Sequence, residues 1–116
     1  MNWNLIKEKY PKVADKLIKH YQIDDSLIGY RYFMEDYLRR NLYDFFDENG
    51  IHISIMHNHY YEDNMDNTLH EFFDWSVTVD SQYVADGDVE EPTRTKAEEQ
   101  AFIKAFEILE EKLRRN

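Results

Sequence analysis

A chain of 116 residues with a formal charge of −10, an aromatic content of 16% and no cysteine is long enough to bury a core without covalent staples. The missing cysteines exclude disulfides, a thiolate nucleophile and a cysteine zinc site. The negative balance argues against general nucleic-acid binding, which needs a basic surface against phosphate. No apolar run approaches the roughly 20 residues that cross a bilayer. The opening Met1 to Tyr10 carries Lys7, Glu8 and Lys9 and shows no apolar signal core, so the expectation is one soluble, cytoplasmic domain over residues 1–116.

The first segment, Asn2 to Tyr21, has its apolar positions at Leu5, Ile6, Val13, Leu17, Ile18 and Tyr21. Pro11 suits the first position of a helix and ends what precedes it, which predicts two short helices within a helical extension over residues 1–28. Asp24, Ser26 and their neighbours read as a linker. Tyr30, Phe33, Met34, Tyr37, Leu38, Leu42, Phe45 and Phe46 then recur at the spacing of one helical face. Asn49-Gly50 is the expected stop, because glycine accepts the left-handed conformation of a helix end.

After Gly50 the period becomes two. Ile51, Ile53 and Ile55 alternate with His52, Ser54 and Met56, as in a half-buried strand. Glu62 to Thr68 is polar and reads as a loop. A second strand presents Phe73, Trp75, Val77 and Val79 on one face. A three-residue loop, Asp80-Ser81-Gln82, would set Tyr83 opposite Val79 on the buried side, whereas a two-residue loop would put Gln82 there; the longer loop is therefore expected. A short third strand follows, about Tyr83 to Ala85. The last helix starts from a capping box, Thr95-Lys96-Ala97-Glu98, and carries the stripe Ala101, Phe102, Ala105, Phe106, Leu109 and Leu113. The expected class is α+β: a three-stranded antiparallel meander packed on two long helices, with the core over residues 29–116 and the N-terminal helices as an extension.

Residues 36–113 resemble the α-β-β-β-α order of a double-stranded-RNA-binding domain. The best match is Trp75 to Val79, a turn, a short strand, and Thr93 to Leu109. That family grips phosphate with a lysine cluster at the start of this helix. Here the matching positions hold Arg94, Thr95 and Lys96 and then Glu98, and the Gly-Pro-x-His loop is replaced by Glu62 to Asn67. The resemblance implies topology more than activity. A second resemblance, carried by Asn2 to Lys12, Leu42 to Gly50 and Arg94 to Leu109, is to small uncharacterised prophage-associated proteins of gut anaerobic bacteria, and it implies a context without a mechanism.

The placement of charge is the most informative feature. Residues 41–93 contain thirteen carboxylates and no Lys or Arg, while the rest of the chain holds fourteen basic and eleven acidic residues. One reading is an acidic face, with Asp63, Asp66, Asp86, Asp88, Glu90 and Glu91, that meets a basic protein partner and competes with nucleic acid. The other is a solvated surface that maintains solubility.

Chemistry-bearing patterns are weak. His57 and His59 share one side of a strand with Glu62 and Asp63 nearby, two imidazoles that lack a defined third metal ligand. Asp63 and Asp66 do not match a calcium loop. Glu90-Glu91 and Glu110-Glu111 lie in polar surroundings, without the desolvation acid–base catalysis needs. With no phosphate loop and no nucleophile elbow, neither an enzyme nor a cofactor is expected. Tyr60, Tyr61 and Phe72 do not fit the buried faces and are candidates for a partner or homodimer surface. The alternative function is a divergent nucleic-acid-binding domain using Arg94, Lys96 and Lys104.

Overall fold

The computed structural model describes residues 3–21, 36–61, 68–87 and 90–115. Within them the elements are α1 (Trp3–Lys9), α2 (Pro11–Tyr21), α3 (Asp36–Glu48), β1 (Ile51–Tyr61), β2 (Leu69–Val79), β3 (Gln82–Asp86) and α4 (Arg94–Arg115). The expected linker at 24–26, the first turns of the aromatic helix at 30–35 and the loop at 62–67 lie outside the described residues. The architecture is α+β, a three-stranded antiparallel sheet in the order β1-β2-β3 with helices on one face.

Pro11 separates α1 from α2 as its chemistry requires. Tyr10 caps α2 by accepting the Ala14 amide at 2.9 Å. The next free amides, of Lys12 and Val13, donate to the Glu110 carboxylate at 3.2 and 2.9 Å. A buried acid of α4 thus caps α2 from the far end of the chain, at the helix pole where negative charge is favoured. At the end of α3, Asn49 donates its side-chain amide to the Phe45 carbonyl at 2.7 Å, and Gly50 turns the chain with φ of 76°. A side chain at Gly50 would also meet Asp80, whose Oδ1 lies 2.8 Å from the position of an added Cβ.

The core is aromatic and continuous across α2, α3 and α4. Phe46 meets Phe45, Phe102 and Phe106, with ring centroids 5.3, 6.2 and 5.1 Å away. Tyr10 stacks on Phe106 and Tyr43 meets Phe102 edge-on. Ile51, Trp75 and Val77 bring the sheet into this cluster, and Trp3, Ile6, Val13, Ala14 and Leu17 close it from the N-terminal helices. Trp3 is buried and Leu5 is exposed, so the apolar face of α1 is set by Trp3 and Ile6.

One local expectation holds and two are corrected. First, β1 runs past Met56 through His57 and His59, the stretch read as strand. It pairs residue by residue with β2 out to Tyr61↔Leu69, because backbone pairing sustains a strand after its hydrophobic alternation has ended. Second, the β2–β3 turn has two residues, Asp80 and Ser81, both at positive φ (51° and 69°), and Val79 pairs with Gln82. Such a turn matches the strand twist. A bulge then restores the faces: Thr78 pairs with Tyr83 but Val77 with Ala85, so Val84 is the extra residue and Tyr83 is exposed. Third, α4 is capped by Thr93, whose hydroxyl accepts the Lys96 amide at 3.2 Å; Thr95 and Glu98 lie inside the helix, and Glu98 is buried.

Candidate interaction surfaces

Among the described residues, the β1–β2 hairpin is longer than the helical layer that covers it. Eleven residues span about 36 Å as a strand. Along the covered face of β1, burial falls from Ile51 through half-buried Ile53 and Ile55 to exposed His57, His59 and Tyr61. The same gradient runs along β2 from Val77 to Glu71 and Leu69. The distal half is therefore an arm with no helix beneath it among the described residues. Its root is clasped by the start of α4. Phe73 exchanges both backbone hydrogen bonds with Glu91, at 2.8 and 3.0 Å, and its ring lies between the His57 imidazole (4.8 Å) and the Arg94 guanidinium (5.2 Å).

The opposite face of the arm is aromatic as well. Tyr60 stacks on His70 at 5.1 Å and lies 6.1 Å from Phe72. Met56 and Tyr60 are exposed on this face, and Tyr61 and Leu69 are exposed on the other face at the tip of the same arm. Apolar side chains concentrated in this way mark an interaction surface more often than a scattering of single residues does.

The carboxylates lie around the margin of the sheet. Asp47, Glu48 and Asp80 gather where α3 enters β1, and Asp86, Glu90 and Glu91 lie along the β3 edge; Asp63, Asp66 and Asp88 fall outside the described residues. Asp86, Gly87 and Glu91 line a cleft of about 500 Å³ together with Trp75, Gln100 and Lys104. Gly87 is required there, since an added Cβ would sit 2.7 Å from the Trp75 indole nitrogen. Where these sheet-side acids form ion pairs among the described residues, the partner is an imidazole: Asp47 with His52 at 2.8 Å, Glu48 with His20 at 3.2 Å, and Glu71 with His57 at 3.4 Å. Three cations of α4 pair on their own helix, Lys104 with Glu107, Arg114 with Glu110 and Arg115 with Glu111, while Arg94 reaches over Phe73 of β2.

His57 and His59 share the covered side of β1 but are separately occupied. His57 contacts Phe73 and Glu71, and His59 meets Tyr61 edge-on. Among the described residues no group of three His, Cys, Asp or Glu side chains is placed to hold a metal. Of the residues suggested for nucleic acid, Arg94 covers Phe73, Lys96 is exposed in the first turn of α4, and Lys104 borders the cleft shared with Asp86 and Glu91. Carboxylates therefore interrupt that face. Among the described residues no helix is long and apolar enough to cross a membrane.

The sequence reasoning singled out Tyr60, Tyr61 and Phe72 but missed the length of the arm, the exposure of Met56 and Leu69, and the Phe73 clasp. The signal that reveals the arm is the absence of any Gly, Pro or Asp between Ile51 and Tyr61. No family model, no curated protein and no solved structure matches the chain.

Proposed function

We propose that the chain is a non-enzymatic protein-interaction module, a regulator or inhibitor whose acidic margin engages a basic protein. The observation that carries this reading is the segregation of ion pairs. Lys104, Arg114 and Arg115 pair along α4 itself, while Asp80, Asp86, Glu90 and Glu91 make no ion pair with Lys or Arg among the described residues. Carboxylates that hold no direct Lys or Arg partner steer a cationic partner and speed encounter, at a strength that falls with salt.

The test is capture from a host lysate on the immobilised chain, at low and at high salt, beside a variant carrying Asp86→Lys, Glu90→Lys and Glu91→Lys. The reading expects a basic protein that elutes with salt and is lost from the reversed variant. Capture unchanged by the reversals overturns it. A gel shift with duplex RNA at low ionic strength addresses the nucleic-acid alternative through Arg94, Lys96 and Lys104, and no shift is expected.

A further inference from the structure

We propose that the chain pairs with a second copy of itself along β1, in a two-fold antiparallel ladder centred on Met56. This edge lies across the sheet from Asp86, Glu90 and Glu91, the acids on the β3 side.

β1 and β3 are the two edges of the sheet, and they differ sharply. Native edges are blunted by shortness, bulges, proline or charge. β3 is five residues long, carries the Val84 bulge and ends in Asp86. β1 is eleven residues long, pairs without a bulge, and contains no Pro, Gly, Lys, Arg, Asp or Glu. Among the described residues nothing pairs with its outer side.

The direction of its free groups follows from the register. Phe73 and Trp75 direct their backbone groups away from β1, toward Glu91 and Gly87. Their partners His57 and Ile55 are therefore non-hydrogen-bonded positions of the β1–β2 ladder. By alternation, Ile51, Ile53, Ile55, His57, His59 and Tyr61 aim their N–H and C=O groups at the open edge. Pairing over the whole strand places Ile51 opposite Tyr61, Ile53 opposite His59 and Ile55 opposite His57 of a second copy, with Met56 facing its own equivalent. In this register outward-directed groups meet only outward-directed groups.

Charge restricts where a second copy can meet this chain. A protein of net charge −10 repels its own copies over most of its surface, and like charges directly opposite destabilise a ladder. β1 brings no carboxylate to the contact. The burial gradient selects the same centre. A two-fold axis at Met56 sets the helix-covered half of each strand against the bare half of the other, so the exposed His57, His59 and Tyr61 lie beside the partner's helical layer. The contact is isologous and closes at two copies.

The test uses the purified full chain. Light scattering at about 100 μM, where a micromolar association is saturated, is expected to give twice the chain mass. Met56→Lys and Met56→Glu are each expected to weaken the dimer tenfold or more, roughly the effect of facing like charges, with the far-UV spectrum of the parent. An equimolar mixture of the two is expected to restore a dimer. The chain has no native cysteine, so Met56→Cys supplies a unique thiol. Facing non-hydrogen-bonded positions lie about 4.5 Å apart between Cα atoms, within disulfide reach, so this variant should cross-link on oxidation while Val84→Cys on the other edge does not. A monomer at that concentration overturns the proposal. So does a dimer indifferent to charge at Met56, or cross-linking at Val84 as fast as at Met56. A monomer that captures only an external peptide along β1 also overturns it.

Discussion

Glu110 shows how a single side chain joins parts of a chain that sequence proximity keeps apart. It is buried on α4, accepts the Lys12 and Val13 amides and meets the Arg114 guanidinium. Replacing it with alanine leaves two amides of α2 without their acceptor and is expected to cost about 1–3 kcal/mol in denaturant unfolding. Glu110→Gln keeps one acceptor oxygen and should lose less. Nothing in the sequence marks Glu110 apart from Glu111, its exposed neighbour. The distinction arises only once α2 has docked. Tyr10, which precedes this cap, has its phenol pushed above the usual 10.0, first by burial and then by the Glu107 carboxylate. A folded-state value above the unfolded one favours the neutral phenol in the fold. That contribution is complete below pH 10 and is lost as pH rises through the folded value. Stability measured from pH 8 upward should therefore fall more steeply for the parent than for Tyr10→Phe.

At the level of elements, the helices were readable because their apolar spacing and punctuation agree: Pro11 at the first position of α2 and Asn49-Gly50 after α3 each act where they stand. Strand faces were equally readable from Ile51, Ile53, Trp75 and Val77. The β2–β3 connection was not, because two departures cancel. A tight turn at Asp80-Ser81 inverts the expected faces and the Val84 bulge inverts them back. A register argument sees only the net result and assigns it to a longer loop. Asp80 and Ser81 hold positive φ at a steric penalty that Asn-Gly avoids. Asp80→Asn with Ser81→Gly is accordingly expected to raise stability by about 1 kcal/mol, with the sheet register unchanged by amide spectroscopy. The candidate surfaces divide in the same way. The acidic segment was visible as composition, whereas the arm depends on β1 outrunning its helices, a relation between elements that neither strand displays alone.

For the molecule as a whole, the charge of −10 opposes compaction through self-repulsion. Raising sodium chloride from about 20 to 200 mM shortens the screening length, so the melting temperature is expected to rise; a melting temperature that falls would mean that favourable pairs outweigh the repulsion. The structure also constrains the timing of assembly. The bonds that cap α2 connect residues 97 and 98 positions apart. During synthesis α2 emerges before its cap, which does not exist until Glu110 has left the ribosome. The N-terminal helices must wait, uncapped at this end, while the sheet and α4 take shape. Docking of the first residues is thus a closing event, and a nascent chain halted short of Glu110 would expose the surface of α4 that Val13 and Leu17 later cover.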